Sequence, residues 1–158
     1  MNGITTCLWF DGQGHDAAEF YVSVFPNSRI VSVSHYPEDG QRPPGSVLTV
    51  DFEILGRPFL ALNGGPEFTH SEAVSFQVFC DDQDEIDRVW DALTSDGGEE
   101  SMCGWCKDRF GVSWQVLPAD LGALLSGDDP EGAPRAWGAM MQMRKLDIDG
   151  LKRAYAGE

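Results

Sequence analysis

Thr5-Thr6-Cys7-Leu8-Trp9-Phe10-Asp11-Gly12-Gln13 has a counterpart seventy positions later in Ser75-Phe76-Gln77-Val78-Phe79-Cys80-Asp81-Asp82-Gln83. Each run is apolar and strand-like, ends in an acidic turn and leads into a helical pattern. Phe20 falls opposite Trp90 in the helices that follow. Self-similarity at a fixed offset predicts two copies of one supersecondary unit. Two packed copies leave a cavity between them, where function is expected.

Working outward, Ile4–Phe10 reads as a strand and His15–Phe25 as an amphipathic helix, with Ala18, Tyr21, Val22 and Phe25 at helical spacing. Pro26-Asn27 stops that helix. Ser28–Tyr36 alternates as a half-exposed strand, and Pro37–Gly45 is a turn-rich loop. Ser46–Ile54 and Pro58–Leu62 form a hairpin turning at Leu55-Gly56. The second copy repeats the order: strand Ala73–Cys80, helix Gln83–Thr94, then short strands near Glu99–Met102, Gly104–Lys107 and Ser113–Leu117. Phe110-Gly111 makes its last hairpin turn. Beyond Pro118, helices are expected over Asp120–Ser126, Arg135–Lys145 and Ile148–Ala156, with a loop at Gly127–Pro134. Met140, Met141 and Met143 suit either an irregular interface or a core. The expected class is α+β: two tandem βαβββ modules (1–66 and 73–118) with mainly antiparallel strands, then a helical tail (119–158).

The 158 residues suit one domain or two half-domains, and 42% hydrophobic content suits an ordinary globular protein. A net charge of −15, from 26 acids against 11 bases, repels phosphate backbones and anionic lipid. Neither nucleic acid nor membrane is expected as a partner. No apolar stretch approaches a membrane span, and Met1-Asn2-Gly3-Ile4 carries no signal-like core. The expected compartment is the cytoplasm, where Cys7, Cys80, Cys103 and Cys106 remain unpaired.

Several further strings are Phe25-Pro26-Asn27-Ser28, Ala61-Leu62-Asn63-Gly64-Gly65-Pro66, Gly104-Trp105-Cys106-Lys107-Asp108-Arg109-Phe110-Gly111-Val112-Ser113-Trp114-Gln115-Val116-Leu117-Pro118 and Met143-Arg144-Lys145-Leu146-Asp147-Ile148. With Cys7–Gly12 and Ser75–Val78, they resemble the PhnB-like branch of the vicinal oxygen chelate superfamily, which includes glyoxalase I, extradiol dioxygenases and bleomycin-resistance proteins. That branch carries the label 3-demethylubiquinone-9 3-methyltransferase. The resemblance implies a homodimer and a half-open cup in each module, with metal ligands on its first and last strands, usually His and Glu. The corresponding positions here are Thr5, Leu60, Ser75 and Gln115. None offers the imidazole, carboxylate or thiolate of a transition-metal site. No cofactor is therefore expected, with a divalent metal left open.

Strand alternation sends Phe76, Val78 and Cys80 towards the helix and Ser75, Gln77 and Phe79 towards the cavity. The repeat places Thr5, Cys7 and Trp9 likewise. Trp114 belongs to the core. For Trp9, Gln77, Phe79 and Gln115 both pocket and core readings stand. Gly12-x-Gly14 reads as a tight turn rather than a nucleotide loop, since the strands that follow look like antiparallel hairpins. Cys103-x-x-Cys106 reads as chance spacing, because it lies among short strands. His15, His35 and His70 read as separate surface residues. The expected function is small-molecule binding in the cavity, at Thr5, Cys7, Trp9, Leu60, Ser75, Gln77, Phe79 and Gln115. The alternatives are a metal-dependent lyase or oxygenase, a methyltransferase, or a cup filled by its own side chains.

Overall fold

The structure is a computed structural model that describes residues 3–127 and 129–158. Met1 and Asn2 of the N-terminal stretch and Asp128 of the Gly127–Pro134 loop lie outside the described residues. The chain divides into two compact units, Met1–His70 and Ser71–Glu158.

In the first unit, β1 (Thr6–Phe10), α1 (Gly14–Val24), β2 (Arg29–His35), β3 (Val47–Ile54) and β4 (Arg57–Asn63) follow the expected order. The sheet runs β1-β4-β3-β2. β2–β3 and β3–β4 are antiparallel, and β1 lies parallel to β4 with Cys7 opposite Leu60. Alternation decides the faces. Leu8, Phe10, Val50, Phe52, Phe59 and Ala61 are buried with Ala17, Ala18 and Tyr21 of α1. Tyr21 stacks on Phe52, and Phe52 on Phe59, at centroid distances of 6.1 and 5.4 Å.

The β3–β4 hairpin turns at Leu55 (φ 51°) and Gly56 (φ 75°). Positive φ at both loop residues matches the twist of the flanking strands. Glycine tolerates this; leucine is strained there. Leu55→Asn is therefore expected to stabilise the unit by about 1 kcal/mol, raising the thermal midpoint by about 2–4 °C.

In the second unit, β5 (Ser75–Cys80), α2 (Gln83–Thr94), β6 (Glu99–Glu100), β7 (Trp105–Lys107) and β8 (Ser113–Pro118) repeat the order. The sheet runs β5-β8-β7-β6, again with one parallel edge, β5 against β8. Asp82 caps α2 by accepting from Glu85 N at 2.9 Å, and Glu85 accepts from Asp81 N. Ile86, Val89, Trp90 and Leu93 form the buried stripe of α2, and Val78, Trp114 and Val116 are buried on the sheet. Both sheets are open and mixed; neither closes into a barrel.

The tail adds α3 (Leu121–Ser126), α4 (Gly132–Met140) and α5 (Ile148–Ala156). Leu117 of β8 packs with Leu121, Met140, Leu146 and Leu151 in a core of their own. The expected helix Arg135–Lys145 is displaced towards the N-terminus. It starts earlier because Pro134 is tolerated in a first turn, where its missing N–H has no intrahelical acceptor. It stops at Met140, and the chain beyond it serves a distant turn: Met143 O and Arg144 O accept from Cys103 N and Gly104 N, both at 2.8 Å. Met140 is therefore core, while Met141 remains 45% exposed. No helix among the described residues is long and apolar enough to cross a membrane.

Candidate functional site

On the first sheet, Cys7 is exposed and Trp9 and Leu60 are half-buried, all on the face away from α1; Thr5 just precedes β1 and is exposed. Trp9 lies over Gly64, where a Cβ would come within 2.3 Å of the indole. Its Nε1 donates to Gly65 O at 2.7 Å, and Phe68 meets its ring edge-on at 5.0 Å. The indole is thus fixed by the connector. Further along the same face, Ser32 Oγ donates to Asp51 Oδ2 at 2.6 Å, and Ser34 and Thr49 share a hydrogen bond of 2.6 Å.

On the second sheet the polar residues connect. Gln77 lies opposite Gln115, and Gln115 opposite Trp105. Gln115 Nε2 donates to Ser75 Oγ at 2.8 Å, and Gln77 Nε2 donates to Gln115 Oε1 at 3.2 Å. Phe79, 60% exposed, continues the row of side chains on β5. The register places Leu60 opposite Cys7 as it places Gln115 opposite Gln77. Beside this row is a cavity of about 390 Å³ lined by Glu72, Glu99, Glu100, Trp105, Lys107 and Ser113, among others.

The donors at Thr5, Leu60, Ser75 and Gln115 do not fit a transition metal. Leu60 has no donor atom, and the Ser75 hydroxyl and Gln115 amide already bond each other. Among the described residues, one group does bring metal-capable atoms within 4.8 Å of one another: His15, Asp16 and Glu19. These three occupy the first turns of α1, and their carboxylates are exposed. His15 and His35 both line an open cavity of about 720 Å³ in the first unit. His70 is half-buried and meets Phe10 edge-on at 5.2 Å.

Gly12-x-Gly14 is a close-packing device. Gly12 has φ 103°, and a Cβ on Gly14 would lie 2.8 Å from Asn63 Oδ1. Asn63, 3% exposed, accepts from Gly14 N at 2.8 Å and donates to Val47 O at 3.0 Å. The first N–H of the helix entrance that a phosphate would need is therefore taken by the protein itself. Sequence reasoning also missed Asp108, 2% exposed, whose carboxylate accepts from Phe110 N, Val112 N and Trp114 Nε1 at 2.8, 3.1 and 2.8 Å. Trp114 is core, as alternation requires.

Cys103 (φ 59°) and Gly104 (φ 81°) form a turn closed by Trp105 N on Met102 O, so Cys103-x-x-Cys106 sits on a hairpin and not at a helix start. All four cysteines are free. Burial pushes the Cys80 thiol up to about 11 and that of Cys106 up to about 12. Thiolate is the reactive form. At pH 8, Cys7 is expected to react with a disulfide reagent in the native protein, and Cys80 and Cys106 only after unfolding. Mass mapping of the labelled peptides checks this; native labelling of Cys106 would contradict it.

A model of the 3-demethylubiquinone-9 3-methyltransferase family matches residues 2–117, ending where the tail begins. Among solved structures, the PhnB protein from Bacillus cereus is 35% identical, with a TM-score of 0.69 over 75% of this chain and 100% of that one. A Pseudomonas aeruginosa protein is 20% identical, with a TM-score of 0.60 over 75% of this chain and 98% of that one. A mutant fosfomycin resistance protein FosX from Listeria monocytogenes, complexed with Mn(II) and a dihydroxypropylphosphonic acid, shares the fold at 14% identity. Its TM-score is 0.53 over 80% of this chain and 99% of that one. No curated protein matches the chain significantly. The family match, the identity to PhnB and the paired βαβββ units together establish that the chain belongs to the PhnB-like, 3-demethylubiquinone-9 3-methyltransferase family, with a vicinal-oxygen-chelate fold.

Proposed function

We propose that this PhnB-like protein binds a small molecule on the open face of its second sheet, without a conventional metal triad, and works as a homodimer in the cytoplasm. One observation carries the reading: Ser75, Gln115 and Gln77 form an oriented hydrogen-bonded row beside exposed Phe79 and the cavity at Trp105. Apolar surface with a few aimed polar groups is how small-molecule sites are built. A core-only role does not explain an amide row left partly open to solvent. The first sheet supplies Thr5, Cys7, Trp9 and Leu60 as a second, more apolar set. Four free cysteines suit a reducing compartment.

A thermal-shift screen of the intact chain against small aromatic and amphipathic compounds tests the reading. A ligand at 100 times its Kd adds about 2.7 kcal/mol, a shift of several degrees. The shift is expected to fall away in Gln115→Leu, while the midpoint without ligand changes little. Hits that keep their full shift in that variant would place binding elsewhere. The family name favours a second reading, methyl transfer. A midpoint shift with S-adenosylmethionine would favour it over the binder.

A further inference from the structure

The cavity on the second unit is assembled from four short segments. Glu99-Glu100-Ser101 and Trp105-Cys106-Lys107 are the arms of a hairpin that turns at Cys103-Gly104. Pairing sets Glu99 opposite Lys107 and Lys107 opposite Ser113; Glu72 enters from just before β5. Together they line a half-open cavity of about 390 Å³.

Ser113 is the telling residue. It is 2% exposed and lines the cavity, yet its Oγ has no hydrogen-bond partner. Buried hydroxyls are normally bonded, and an unbonded one is destabilising. The hydroxyl is closed to solvent in this conformation, and a turn about the serine χ1 brings it to a polar atom in the cavity.

The walls set that atom's charge. Three carboxylates, Glu72, Glu99 and Glu100, face one ammonium, Lys107. Lys107 is neutralised by its ion pair with Glu72. Glu100 accepts from Trp90 Nε1 at 3.1 Å and lies 3.6 Å from Arg144, which is outside the lining. The balance inside is negative. These carboxylates do not converge as the atoms of a metal site do: His15, Asp16 and Glu19 form the sole such group among the described residues. A negative field spread around a space of this size suits an organic cation better than a metal ion. Half-buried Trp105 adds an aromatic wall, which attracts ammonium groups.

We infer that this cavity binds a small primary amine, whose ammonium sits beside Glu99 and donates to Ser113 Oγ once that side chain has turned towards it, and whose apolar body lies on Trp105. The inference rests on the proposed binding face and names its ligand class.

The test uses the intact ¹⁵N-labelled chain at pH 7 and three probes of one shape: 2-phenylethylamine, 2-phenylethanol and 3-phenylpropanoate. The Trp105 indole N–H, assigned by Trp105→Phe, is followed by NMR. The amine is expected to shift it saturably and to bind about tenfold more tightly than the alcohol, with no saturable shift from the acid. Ser113→Ala and Glu99→Gln should each weaken the amine about tenfold. Ser113→Ala should also unfold no earlier than the parent chain, so lost binding is not lost folding. Equal binding of amine and alcohol would overturn the cation assignment and leave the small-molecule reading standing. Unchanged amine affinity in Ser113→Ala would remove the role given to that hydroxyl. No movement of Trp105 with any probe would overturn the site, while the wider reading is judged separately by co-purified ligand.

Discussion

Asp108→Ala is expected to destabilise the second unit by about 3–5 kcal/mol, among the largest effects of any single side-chain truncation here. The carboxylate is buried and holds three donors: the N–H groups of Phe110 and Val112 and the indole of Trp114. Truncation leaves those donors unpaired in a site from which water is excluded, at about 1–3 kcal/mol for each group left unsatisfied. Only part of that returns by local relaxation. Asp108→Asn keeps an acceptor and should lose about half as much. Urea unfolding followed by tryptophan fluorescence checks both variants, with the slope expected to hold and the midpoint to fall. The effect should extend to ligand binding, because the loop Asp108 organises leads into Ser113 and Gln115. A loss below about 1 kcal/mol would mean that water takes over the role of the carboxylate.

Asn63→Ala is the second large effect, about 2–4 kcal/mol, and it falls on the first unit. The amide ties the start of α1 to β4 through Gly14 N and ties β4 to β3 through Val47 O. Gly14→Ala attacks the same contact from the other side, placing a Cβ 2.8 Å from Asn63 Oδ1 and 3.2 Å from Ala61 Cβ. The two substitutions share one cause, so their effects should not add. Gly14→Ala should be less damaging in the Asn63→Ala background than alone. Thermal melts of the four proteins measure the coupling, and strict additivity would contradict the shared contact.

Much of the fold was legible in the sequence because periodicity is a local property. The duplicated strand-turn-helix run, the Leu55-Gly56 turn and the helix Gln83–Thr94 all follow from residue type and spacing, and each stands where expected. The alternation that separates Phe76, Val78 and Cys80 from Ser75, Gln77 and Phe79 was legible for the same reason. What escaped depends on long-range partners. Arg135–Lys145 has helical spacing, but Met143 and Arg144 bond the turn at Cys103-Gly104, forty residues earlier in the chain, and no local pattern reveals that.

The polar residues that organise the site entrances were equally hidden. Asn63 stood in a glycine-rich string that reads as a connector, and Asp108 in the string that leads into the Phe110-Gly111 turn; each is buried because a distant or folded-back donor needs it. An acid opening Asp-Arg-Phe-Gly five positions before Ser113-Trp114 was a signal available for Asp108. Ser113 carried no signal at all, since an unbonded hydroxyl is visible only once its surroundings are built. Gln77 and Gln115 were chosen by strand alternation, and it is the parallel β5–β8 pairing that joins them to Ser75.

The central claim is that the open face beside Gln115 holds a small organic molecule and not a transition metal. A native mass spectrum of gently purified protein, with elemental analysis of the same sample, tests it most directly. The account predicts a metal-free dimer carrying a small organic adduct that is lost in Gln115→Leu. One transition metal per subunit, bound through Thr5, Leu60, Ser75 or Gln115 positions and surviving dialysis, would contradict it.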